Sequence, residues 1–120
     1  RVRAGAVPKG DVLRSAETAG LFALKRTPDL LPHCHPIALR GGGLVAEVVG
    51  DDRLRFVARA RADDRTGVEM EVLTAATVAA LTAYDMLKMF DPAMVIGPVR
   101  LLEKSGGKSG HWVRPEDLRR

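Results

Sequence analysis

The sequence predicts an α+β sandwich, with helices packed on one face of an antiparallel sheet. Three observations carry that reading. Apolar residues recur at helical spacing near the start of the chain and again over residues 68–90. Between them, residues 53–62 alternate apolar and charged side chains, the period of a strand with one buried face. Strand-like runs joined by a short turn and flanked by helices argue antiparallel pairing rather than crossovers.

Residues 1–8 are basic, end in Pro8 and show no core pattern. Val12, Ala16, Ala19 and Ala23, with Phe22 beside them, mark one face of a helix from Asp11 to about Arg26. Asp11 is its N-cap; Lys25 and Arg26 suit the C-terminal end of the dipole, and Thr27-Pro28 stops it. Pro28, Pro32 and Pro36 then forbid a long helix. Gly41-Gly42-Gly43 reads as a flexible joint. Leu44–Val49 reads as a strand, Gly50-Asp51-Asp52 as a turn and Arg53–Ala62 as the returning strand. In that second strand Leu54, Phe56, Ala58 and Ala60 form the apolar face and alternate with Arg53, Arg55, Val57, Arg59 and Arg61, which make the other face basic.

A second helix from Val68 to Phe90 is apolar or small around most of its circumference, which predicts burial. Thr74, Thr77, Asp85 and Lys88 fall in one narrow polar sector of it. Met94–Lys104 reads as a strand broken by Gly97-Pro98, followed by the loop Ser105–Gly110 and a short charged tail.

The 120 residues fit one domain spanning 1–120, long enough for a core of its own. A lone cysteine excludes a disulfide scaffold and a cysteine-based zinc finger. No apolar run approaches the roughly 18 residues of a membrane span and no signal peptide opens the chain, so a cytoplasmic domain with no membrane partner is expected. Nineteen Lys and Arg against fifteen acids point to an anionic partner. Only five aromatics offer little material for stacking bases, so no nucleic acid is expected. A basic binding module stands as the competing reading.

Asp85 and Lys88, three residues apart on a helix expected to be buried, are either a structural ion pair or a proton-transfer pair. Ser105–Gly110 is not a phosphate-binding P-loop, because Leu102 stands where that motif needs its first glycine. Its flexible amides, flanked by Lys104 and Lys108, can still nest a phosphate chain. His33-Cys34-His35 packs three potential metal ligands too closely for one ion, so a pocket wall is expected there and no metal or cofactor. Glu69 and Glu71 sit where acids favour a helix start, and capping suffices for at least one of them. Lys9 precedes a helix start, a position that suits anions.

Four blocks, KGDVLRSAETAG (9–20), DLLPHCHPIAL (29–39), TGVEMEVLTAATVAALTAYDMLK (66–88) and MVIGPVRLLEKSGGKSG (94–110), together resemble the cyclic pyranopterin monophosphate synthase family of molybdenum cofactor biosynthesis. The resemblance implies a ferredoxin-like fold assembled as a homohexamer, a trimer of dimers with active sites at dimer interfaces. It implies rearrangement of 3′,8-cyclo-7,8-dihydroguanosine 5′-triphosphate to cyclic pyranopterin monophosphate with loss of pyrophosphate. Lys9, Asp85 and Lys88 match the family's catalytic positions. His33, Cys34, His35, Met70 and Glu71 match pocket-lining positions, and Lys104 and Lys108 the lysines facing the triphosphate. Two departures stand out. The family carries a further N-terminal segment that supplies a strand and basic residues, whereas eight residues precede Lys9 here. His33 replaces an apolar residue before Cys34-His35-Pro36.

Overall fold

A computed structural model describes residues 7, 10–63, 67–106 and 110–115. Helix α1 (Val12–Lys25) leads through a short α2 (Thr27–Leu30) to strand β1 (Leu39–Val49). Strand β2 (Arg53–Ala62), helix α3 (Glu69–Leu87) and two short strands, β3 (Glu103–Lys104) and β4 (Trp112–Val113), follow. β1 and β2 form an antiparallel hairpin, and α1 and α3 pack together over its inner face, the α+β ferredoxin-like arrangement the sequence predicts.

α1 begins where expected: the Asp11 carboxylate accepts from the Arg14 amide at 3.0 Å. Asp11→Ala should therefore cost about 1 kcal/mol of stability, read from urea unfolding. Its buried stripe is Val12, Ala16, Gly20, Ala23 and Leu24, so Gly20 takes the place expected for Ala19 while Phe22 turns outward, 59% exposed. Thr27-Pro28 does not simply end this helix; proline in the first turn opens α2. The buried Thr27 hydroxyl lies within hydrogen-bonding reach of the Ala23 and Leu24 carbonyls, at 2.9 and 3.2 Å, and donates to the last turn of α1.

Gly41-Gly42-Gly43 is strand, not joint. Gly42 pairs with Ala60, and a Cβ on it would stand 2.4 Å from Leu24 Cδ2. The missing side chain lets α1 approach the sheet. Along the hairpin Leu44 faces Ala58, Ala46 faces Phe56 and Val48 faces Leu54. Leu44 joins Ala16, Leu24, Ala75 and Ala79 in the main core cluster. Glu17 accepts from the Ala46 amide at 3.0 Å, a polar tie between α1 and β1. The turn forms at Gly50 with φ +62°, a conformation glycine adopts freely. On the outer face the arginines are partly neutralised: Arg55 meets Glu47 at 3.3 Å and Arg40 meets Asp63.

α3 departs most from expectation. Its buried positions are Glu71, Ala75, Ala79, Ala83 and Met86, a single stripe against α1 and the sheet. The opposite face, with Met70 at 42% and Leu81 at 56%, is exposed. By length and composition alone α3 would suffice to cross a membrane, which a search for uninterrupted apolar runs misses because threonines and acids break the run.

Met94–Lys104 is not a strand along its length. Only Glu103 and Lys104 pair, with Val113 and Trp112, so part of the expected tail is strand instead. A strand needs a partner edge; the Leu102 carbonyl accepts from the Arg114 amide at 2.7 Å, but residues 94–100 pair with no strand among the described residues, and Val95 is 88% exposed. An open cleft lined by Phe56, Ala58, Ala76, Ala80 and Leu102 separates this segment from β2 and α3.

Candidate active site

The first turn of α3, the proline-rich loop before β1 and the strand β3 bring four chemistry-bearing side chains together as two pairs. Glu71 turns inward and is 3% exposed, among the described residues the one charged side chain in the core. The Cys34 thiol, from the loop, donates to Glu71 Oε2 across 3.5 Å. The loop holds Cys34 there because its amide donates to the Leu31 carbonyl at 3.1 Å, directly after α2. Burial pushes the Cys34 thiol pKa up, and the Glu71 charge and the hydrogen bond to it push the same way.

Two residues earlier, Glu69 faces outward and its Oε1 accepts from Lys104 Nζ at 3.4 Å. Acids two apart on a helix point in different directions, so one enters the core and the other meets β3. Both sit where the positive end of the helix dipole favours carboxylates. Local sequence offered only capping for Glu69. Its pairing with a lysine 35 residues away is a tertiary event without a local signal.

The remaining predicted residues are placed less compactly. Met70 is exposed beside Glu71, and His33 and His35 are exposed on the loop around Cys34. Lys9 and Lys108 lie outside the described residues. Asp85 and Lys88 do form an ion pair, Oδ1 to Nζ at 3.0 Å, but their side chains are 60% and 54% exposed. The expected burial of this pair is corrected: it rides the outer face of α3, and the stripe against α1 is built from alanines instead. Asp85 lies fourteen residues beyond Glu71, about 21 Å along the helix axis. One chain therefore separates the acid–lysine pair from the Cys34–Glu71 and Glu69–Lys104 pairs. The open cleft reaches Glu69 and Lys104 at one end and does not include Cys34, Glu71, Asp85 or Lys88. Among the described residues no three His, Cys, Asp or Glu side chains converge as a metal site requires.

Residues 1–107 match the MoaC family. A protein named cyclic pyranopterin monophosphate synthase from Desulfitobacterium hafniense is 48% identical over 119 residues, 99% of this chain and 73% of its own length. Proteins of the same name from Streptomyces coelicolor and Heliobacterium modesticaldum are 52% and 50% identical. These alignments cover 94% and 97% of this chain, and 66% and 74% of the relatives' own lengths. A match of this extent, over all four sequence blocks, places the chain: it belongs to the MoaC family.

Proposed function

We propose that this chain catalyses conversion of 3′,8-cyclo-7,8-dihydroguanosine 5′-triphosphate to cyclic pyranopterin monophosphate, releasing pyrophosphate, as a lyase of molybdenum cofactor biosynthesis. The observation that carries the reading is the near-half identity, along almost the whole chain, to relatives that bear that enzyme's name. The chemistry fits the residues. Rearranging the ring system needs several proton transfers, for which positioned acid and base groups are the usual means. Lys9 and Lys88 donate and accept protons, with Asp85 orienting Lys88 or acting as the base. Departure of pyrophosphate concentrates negative charge, which the ammonium groups of Lys104 and Lys108 stabilise. His33, Cys34, His35, Met70 and Glu71 line the pocket for the pterin-forming ring.

The active form in this reading is a cytoplasmic homohexamer, a trimer of dimers whose sites lie between subunits, with neither nucleic acid nor membrane as partner. Two features support the assembly. The outer face of α3 carries Met70 and Leu81 in the same sector as Asp85 and Lys88, so a second copy covering it would bury apolar surface and desolvate the pair together. A two-fold axis also repeats every residue, so the start of one α3 can complete a site with the far end of its partner's.

Incubation with the cyclic dihydroguanosine triphosphate should yield pyrophosphate and, after oxidation, a fluorescent pterin in equal amounts. Binding of the nucleotide without either product would reject catalysis and favour the basic binding module.

A further inference from the structure

Glu71 is an acid in a place that is costly for one. A carboxylate removed from water needs hydrogen bonds or a cation to offset lost solvation. Among the described residues, Lys104 is engaged by Glu69, and the donor that reaches Glu71 is the uncharged thiol of Cys34. We propose that Cys34 is a positioning residue: its thiol holds the Glu71 carboxylate in one orientation at the start of α3, leaving the second oxygen to accept from an N–H of the substrate ring. This inference rests on the proposed function for its catalytic consequence, while the contact itself is independent of it.

The arrangement suits the task. The raised thiol pKa keeps Cys34 protonated, and only the protonated form can donate; a thiolate would repel the carboxylate it faces. Cys34 is itself fixed, since its amide is bonded to Leu31 and its loop is bounded by Pro32 and Pro36. Truncation to alanine leaves a buried carboxylate oxygen without that donor, whereas serine restores an O–H in the same position.

Two measurements on the full chain test this. The rate of Cys34 alkylation by iodoacetamide, followed against pH, reads the contact. Burial and the Glu71 charge both raise the thiol pKa, and Glu71→Gln removes the charge, so its curve should move to lower pH; an unmoved curve would overturn the contact. Steady-state turnover reads the role. Cys34→Ala should lower kcat on the order of tenfold in chains that remain folded, and Cys34→Ser should recover most of the loss. Wild-type kcat in Cys34→Ala, or equal losses in both variants, would overturn the positioning role. If the unaltered chain releases no pyrophosphate, the proposed function fails and the alkylation curve still decides whether the thiol holds Glu71.

Discussion

Lys88→Ala should remove turnover almost completely while the folded chain persists. The ammonium group is assigned a proton-transfer role, and such groups contribute roughly 10²–10⁴-fold to rate. Its structural contribution is small by contrast. The Asp85–Lys88 pair spans three residues on an exposed helix face, with both side chains more than half exposed. Pairs of that kind contribute a few tenths of a kcal/mol, so the unfolding free energy should change by less than about 0.5 kcal/mol. Asp85→Asn should show the same division, with its loss in kcat rather than in stability. Urea unfolding beside steady-state kinetics checks both. A Lys88→Ala chain with near wild-type kcat would remove Lys88 from the mechanism.

Gly20→Val should give the largest loss of stability, about 2–3 kcal/mol by the scale of overpacked cores. Gly20 lies where α1 crosses α3 above the sheet. A Cβ there would stand 2.4 Å from Leu44 Cδ1, 3.1 Å from the Ala75 carbonyl oxygen and 3.3 Å from Ala79 Cβ. The leucine tip can turn aside, but the α3 backbone moves only if the two helices separate, and valine adds two methyl groups to the same space. Gly43→Ala is the control. It has no atom within 4 Å of an added Cβ, and alanine suits a strand better than glycine, so its unfolding midpoint should hold or rise slightly. Equal midpoints for Gly20→Val and the unaltered chain would show that this crossing is loosely packed.

Local periodicity was enough to read α1, β2 and the hairpin turn, because each satisfies its pattern within its own residues. Asp11 caps the helix it was expected to cap, and Arg53–Ala62 keeps its alternation except at Val57, which is half-buried like its neighbours. The errors share one cause, dependence on a neighbour distant in sequence. Gly42 looks like a hinge until Leu24 is laid over it. Residues 94–100 have the composition of a strand, but pairing belongs to two edges and no second edge for them is among the described residues. The alanine-rich circumference of α3 suggested burial all round, yet a chain of this size supplies packing for only one side of it.

The candidate site divides in the same way. Residue types at matching positions were readable as family blocks, including Glu71, Lys104 and the Asp85–Lys88 pair. The Cys34–Glu71 and Glu69–Lys104 contacts were not, since they join residues 37 and 35 positions apart. The distance between the two ends of α3 could be anticipated from helix rise alone, but its consequence emerges only once Asp85 and Lys88 are seen to be exposed.

Subunit complementation tests the central claim most directly. Lys88→Ala chains and Glu71→Ala chains, each first checked for loss of turnover alone, are mixed under conditions that exchange subunits, and pyrophosphate and fluorescent pterin are followed. If each site draws the start of α3 from one subunit and its far end from the partner, a mixed dimer contains one intact site. Random mixing should then restore about a quarter of wild-type activity. Mixed dimers visible by native mass spectrometry but yielding neither product would contradict a site shared between two copies of this chain.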